Sequence, residues 1–330
     1  TGTGNSSSFN TIQIVGFYTG IYCSTSISQS LFRNLLIRSC NTSIYVNNCI
    51  VIAISLIIQG STTSTPANTG IYTTGAIGKL LVSGGAISNC IVALSFANDS
   101  LGGISSLSSV ANVNDLTVSS GSTVFVSAVQ YTDGTTLNDV TISVSGASTV
   151  VELCSCNIDG YDYVHGTVSG TGISCTLGAT VLINSSIIQR YTNGVVVGIN
   201  TDVSNTKMTV SDVFFTNNTV DIAQLGTSSL SVSSSTMSLS KLAITSPDNV
   251  SLSFSDETTG TMSIGSTAAT PIILSQPLQS LTNNPTFGFT PSMYNTSSFI
   301  EQSTNGLMHS VVSSALSGYA AVTQNRAMPS

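Results

Sequence analysis

The sequence predicts an all-β parallel solenoid. Three observations carry that expectation: a recurring aliphatic triplet, a nearly charge-free composition and a scarcity of proline. The triplet places strand-forming residues around an Ile or Val and is followed by small or polar residues. It begins at Ile12-Gln13-Ile14 and returns at Leu35-Leu36-Ile37, Leu56-Ile57-Ile58 and Leu80-Leu81-Val82. Later copies are Leu116-Thr117-Val118, Val140-Thr141-Ile142, Val181-Leu182-Ile183, Met208-Thr209-Val210, Leu230-Ser231-Val232 and Leu252-Ser253-Phe254. With the third residue as anchor, the spacings are 23, 21, 24, 36, 24, 41, 27, 22 and 22. Most of these match one coil of a solenoid, whose single rung cannot bury its apolar face until neighbours stack on it. The two long intervals predict insertions near residues 92–113 and 150–175. About ten rungs are expected over residues 1–265, with second apolar stretches such as Ile44-Tyr45-Val46 and Val195-Val196-Val197 on another face. An immunoglobulin-type sandwich is the rival, but it requires hairpins every 8–12 residues or so.

Composition supports the same architecture. Charged residues are 6% of the 330 and hydrophobic residues 41%, so a core is available while helix-forming Glu, Lys and Arg are not. Stacked coils satisfy each other's backbone groups, so outward positions can be Ser and Thr without charge. Seven Lys and Arg stand against 14 Asp and Glu, which excludes a phosphate-neutralising surface and with it a nucleic-acid partner. The longest apolar run, Cys49 to Ile58, is too short for the ~20 residues of a membrane helix, so a soluble chain without membrane insertion is expected. The start at Thr1, without Met, reads as a trimmed product. Seven cysteines at unrelated spacings (Cys23, Cys40, Cys49, Cys90, Cys154, Cys156 and Cys175) read as small buried hydrophobes rather than a disulfide framework.

The C-terminal end changes character. Pro271, Pro277, Pro285 and Pro291 should break the ladder and force an irregular segment over 266–330. Beyond them Leu307, Val311, Val312, Ala315, Leu316, Tyr319 and Ala320 recur at helical spacing, predicting a short capping helix over the last rung. The same tail is a candidate oligomerisation element.

The rung pattern over roughly residues 10–265 resembles the right-handed, single-stranded parallel β-helix superfamily, which includes pectate lyases, phage tailspikes and surface adhesins. Gly84-Gly85-Ala86-Ile87 and Phe215-Thr216-Asn217-Asn218 resemble the GGAI and FxxN repeats of chlamydial polymorphic outer-membrane adhesins. The composition is also similar to β-helical fibre and capsid-decorating proteins of large viruses.

Reactive side chains are densest between Glu152 and Gly166. Asp159 and Asp162 are candidates for a glycoside-hydrolysing acid pair. Cys154, Cys156, His165 and Cys175 offer zinc-type ligands, with the C-x-C pair expected on one strand face, although a second C-x-x-C is lacking. Asp159, Tyr161, Asp162, Tyr163 and His165 together suit a sugar surface, with aromatic rings for stacking and carboxylates for hydroxyls. No metal or other cofactor is implied. Members of the resembled superfamily with lyase activity use clustered carboxylates, calcium and a basic residue. Here Arg33, Arg38, Lys79, Arg190, Lys207 and Lys241 lie on different rungs, mostly without an acid nearby in sequence. The sequence therefore points to a non-enzymatic structural or adhesive protein on a virion or cell surface, self-associating as a homotrimer or filament. A carbohydrate-active solenoid with its site in 150–175 is the alternative.

Overall fold

The computed structural model describes residues 6–254 except 25–28, 61–67, 133–139, 163–166, 169, 199–204, 238–240 and 245–249, with five short strands beyond. It is a parallel β-solenoid in which each coil contributes one strand to a long sheet and one to a short sheet. The long sheet begins with five ten-residue strands: Ser6–Val15, Gln29–Arg38, Ile50–Gln59, Lys79–Ser88 and Leu101–Val110. It continues as split strands, from Thr123–Ser127 with Gln130–Thr132 to Lys207–Ser211 with Phe214–Thr216, then Ser229–Ser235 and Val250–Phe254. The short sheet stacks ten parallel strands from Thr19–Ser24 to Leu242–Ile244.

The core is built from vertical columns. In the short sheet Ile21, Ile44, Ile71, Leu94, Leu116, Ile142, Ile173, Val195, Ile222 and Leu242 stand in register, one per coil. Each full burial contributes about 1.5–3 kcal/mol. The facing column of the long sheet runs Phe32, Ala53, Val82, Ile104, Val126, Leu153, Ile183, Val210 and Val232. Volume is balanced across the core. Phe96 fills the space at Gly102, where an added Cβ would fall 2.6 Å from its ring.

Three corners turn the chain in each coil, and they explain the composition. The first lies inside the long strand, where one residue per coil takes a positive φ: Thr11, Asn34, Ser55, Gly84, Ser106, Ala128, Ser155, Ser185, Asp212 and Ser234. A left-handed residue turns a strand sharply, which Asn, Ser and Gly tolerate best. At the second corner Asn112 Oδ1 accepts the Cys90 N–H (2.8 Å) while its Nδ2 donates to Ile87 O (3.2 Å) and Asp115 Oδ1 (2.8 Å). Asn218 repeats the arrangement with the Tyr191 N–H (2.9 Å), Ile188 O (3.1 Å) and Asp221 Oδ1 (3.0 Å). At the third corner buried hydroxyls take over. Ser122 Oγ accepts the Ser100 N–H, Thr149 Oγ1 the Gly121 N–H and Thr206 Oγ1 the Gly178 N–H. Ser, Thr and Asn are thus abundant partly because the second and third corners leave buried backbone groups that a short polar side chain satisfies.

Several sequence expectations need correction. Residues 92–113 hold no insertion: Val92–Ala97 and Leu101–Val110 are regular strands, and Val82, Ile104 and Val126 follow at 22-residue steps. The 36-residue interval arose because Val82 belongs to the long sheet and Val118 to the short one. Most of 150–175 is likewise regular rung; among the described residues, Tyr161–Asp162 and Thr167–Val168 leave the two main sheets as a short antiparallel pair. Of the expected C-terminal helix, Met308–Val312 is instead a strand antiparallel to Ser298–Gln302; the rest lies outside the described residues. Short apolar runs fit either period, and Val311 and Val312 favour the strand. Parallel pairing also crosses residue 265, since Ser251 and Leu252 pair with Ile273 and Leu274. Pro271, Pro277 and Pro285 lie outside the described residues, while Pro291 sits within Gly288–Ser292.

Candidate functional site

The sequence-dense region resolves into a clamp between two coils. Asp159 ends the Asn157–Asp159 strand and is buried. The next coil brings Gln189 opposite it in register, with Arg190 following at a positive φ of 62°. That turn aims the guanidinium back at Asp159. Arg190 Nε donates to Asp159 Oδ1 at 2.7 Å and Nη2 pairs with Oδ2. The Tyr161 N–H reaches Oδ1 at 3.1 Å and Gln189 Nε2 reaches Oδ2 at 3.2 Å. The guanidinium also lies 4.8 Å from the centroid of the Tyr161 ring, within cation–π range.

This geometry decides what Asp159 can do. A carboxylate offers about four lone-pair sites, and four donors fill them here. No acceptor site is left for a sugar hydroxyl, and the forked guanidinium pairing holds the group as a structural anion. Gly160 and Tyr191 complete the support. A Cβ at Gly160 would fall 2.5 Å from the Tyr191 ring, whose hydroxyl lies 2.8 Å from Thr141 Oγ1. The clamp therefore pins the start of the Tyr161–Asp162 strand to the next coil. The Asp162 side chain, Tyr163 and His165 lie outside the described residues, so of the five sugar-surface candidates only Asp159 and Tyr161 can be placed together.

Arg190 is the residue that sequence reasoning missed, because its acid is 31 positions away. The available signal was the rung register, which sets Asn157–Asp159 against Ile187–Gln189. The C-x-C expectation is also corrected. Ser155, between the two cysteines, has a φ of 55° and breaks the alternation. Cys156 consequently points inward and Cys154 outward, where it lines a surface trough. The Cys156 thiol donates to Cys154 O at 3.5 Å, and burial pushes its pKa up. Cys175 is buried on the opposite sheet and donates to Ala179 O at 3.5 Å. Five of the seven cysteines are buried thiols, as small core residues. Burial raises the Cys90 pKa from 9.0 to about 12.

Two surface features accompany the clamp. Tyr22, Tyr45 and Tyr72 stack on the outer face of the short sheet, with ring centroids 5.1 and 5.4 Å apart. On the outer face of the long sheet an apolar trough of about 490 Å³ runs along Ile52, Leu81, Gly103 and Phe125 to Glu152. No helix among the described residues is long and apolar enough to cross a membrane.

The fold and the clamp together define the chain as a parallel β-solenoid with a pinned turn. No protein-family model, curated protein or solved structure matches it.

Proposed function

We propose that this chain is a non-enzymatic structural or adhesive solenoid, displayed on the outside of a virion or cell and associating with itself. The observation that carries the reading is the saturation of Asp159 by four donors from its own and the next coil. It turns the strongest sequence candidate for acid chemistry into a fastener. Buried amides and hydroxyls such as Asn112, Asn218, Ser122 and Thr149 are likewise bound at corners, which stiffens the coils and suits their faces to display and lateral contact. A panel of acidic and neutral polysaccharides tests this directly. Neither new reducing ends nor unsaturated uronate absorbance is expected; turnover of any member that is lost in Asp162→Ala would overturn the reading.

The carbohydrate-active alternative rests on the antiparallel pair Tyr161–Asp162 and Thr167–Val168, which departs from the two main sheets, and on binding residues being commonly carried by such connections. Under that reading Asp162, Tyr163 and His165 would do the work, with Asp159 and Arg190 holding their platform.

A further inference from the structure

The geometry points to Cys23 and Cys49 as the site of a reversible disulfide that fastens the first coil of the solenoid to the second. The register brings them together. Cys23 is the inward residue of the Thr19–Ser24 strand and stands in line with Val46, Thr73, Cys175 and Val197 of later coils. Cys49 precedes Ile50 and so holds the third corner of its coil, the place that Ser100 and Ser228 hold before Leu101 and Ser229. Side chains at that corner reach back one coil, to the inward residue. Ser100 Oγ donates to Thr73 O at 3.3 Å, and Ser228 Oγ donates to Val197 O at 2.9 Å. From the other side, the Cys175 thiol reaches Lys207 O, beside the third corner of the following coil, at 3.6 Å. The same step leads from Cys49 to Cys23, and there the two thiols hydrogen-bond to each other. Other cysteines lack this relation: Cys40 and Cys90 lie two coils apart, and Cys154 and Cys156 point to opposite sides of the sheet.

Closure needs an oxidant, and a small disulfide such as oxidised glutathione serves. Cys23 is half-buried and Cys49 buried, so Cys23 meets it first. The Cys23 thiol loses its proton, and its Sγ attacks one sulfur of the small disulfide, releasing one small thiolate. Cys49 then loses its proton, its Sγ attacks Cys23 Sγ, and the second small thiolate leaves. The two thiolates take up the two protons, so two protein thiols are oxidised while one small disulfide is reduced. The hydrogen bond to Cys49, together with burial, holds the Cys23 pKa well above the ordinary thiol value. Thiolate is therefore scarce and closure is slow. Among the described strands, Ser6–Val15 and Thr19–Ser24 pair on one side only, and such an end coil opens most readily. A bridge there holds it against its neighbour. The surface setting proposed above would supply small oxidants, but the chemistry does not rest on that reading.

Incubating the full chain with excess oxidised glutathione at pH 8.5 for a day tests the site. Remaining thiols are then blocked, and the denatured chain is cut with trypsin after Arg33, Arg38 and Lys79. A bridge joining peptides 1–33 and 39–79 is expected, and fragmentation should place it at Cys49 rather than Cys40. Cys49→Ser should abolish it. Ser100 and Ser122 already hold that corner with a hydroxyl, so the variant keeps the fold, which circular dichroism checks. Bridging should also slow amide hydrogen exchange in Thr19–Ser24 about tenfold or more, and dithiothreitol should restore the faster rate. Unbridged wild-type peptides, glutathione stranded on Cys23 or a bridge to Cys40 overturns the site. A bridge that leaves exchange unchanged overturns the fastening.

Discussion

The coils before residue 111 and those after residue 122 solve the same corner in different ways. In the early coils the backbone ladder runs straight through the first corner. Ile12, Leu35, Leu56, Gly85 and Leu107 follow the left-handed residues and remain in register. In the later coils the ladder breaks there, and the strands split. Ser186 Oγ then accepts the Cys156 N–H at 3.1 Å and donates to Asn184 O at 2.8 Å. Ser235 does the same for the Val213 N–H at 3.1 Å and Ser233 O at 2.9 Å. Among the early corners Leu35 and Leu56 bury area beside an unbroken strand, whereas the later strands split even where the next residue is Val129 or Val213, and Ser186 and Ser235 then supply side-chain bonds to the neighbouring coil. The later half also carries the Asp159–Arg190 clamp and the antiparallel pair Tyr161–Asp162 and Thr167–Val168, so local irregularity and polar fastening go together.

Substitutions that exploit this contrast differ in size. Leu56→Ala, at an early apolar corner, should cost about 3–4 kcal/mol through lost burial and the cavity left behind. Arg190→Ala, in the later half, should cost about 2–3 kcal/mol, because it strands a buried carboxylate whose partner was itself partly solvated. Ser186→Ala should cost about 1–2 kcal/mol, the desolvation of one buried N–H. Denaturant titrations of the three variants at one pH give the ranking, and a Ser186→Ala loss as large as that of Leu56→Ala would erase the distinction. Cys90, at an early second corner, gives a smaller effect. Its folded pKa of about 12 exceeds the ordinary 9.0, so the fold favours the protonated thiol. That stability is complete below pH 9 and is lost as pH climbs towards 12. The loss should reach about 1 kcal/mol by pH 10. Comparing wild type with Cys90→Ala between pH 8 and pH 10.5 checks it, and parallel curves would contradict the assignment.

The rung period, the aliphatic interior and the buried thiols were legible in the sequence because they repeat residue types at a nearly constant interval. The placement of insertions was not. Each coil has three apolar faces of similar composition, and the anchors slid between them: Ile58 to Val82 within the long strand, Val118 and Ile142 on the short sheet, Ile183 back on the long one. True register gives steps of 23, 21, 29, 22, 22, 27, 30, 27 and 22 from Phe9 to Val232. The clamp was illegible for a related reason, since Asp159 and Arg190 become neighbours only once the longer coil between them is aligned. The adhesin-like strings GGAI and FxxN turn out to be corner pieces. Gly84 takes the left-handed position, Gly85 packs where a Cβ would collide with Leu56 O, and Asn218 is the second-corner amide. Such strings mark any coil that turns this way.

Methyl-to-methyl nuclear Overhauser contacts in Ile, Leu and Val-labelled protein would test the stacked-coil architecture most directly. Ile142 methyls should contact those of Leu116 and Ile173, which are 26 and 31 residues away and in register on either side. Cross-strand contacts confined to partners within about a dozen residues, the hallmark of hairpins, would contradict the solenoid and everything built on its columns.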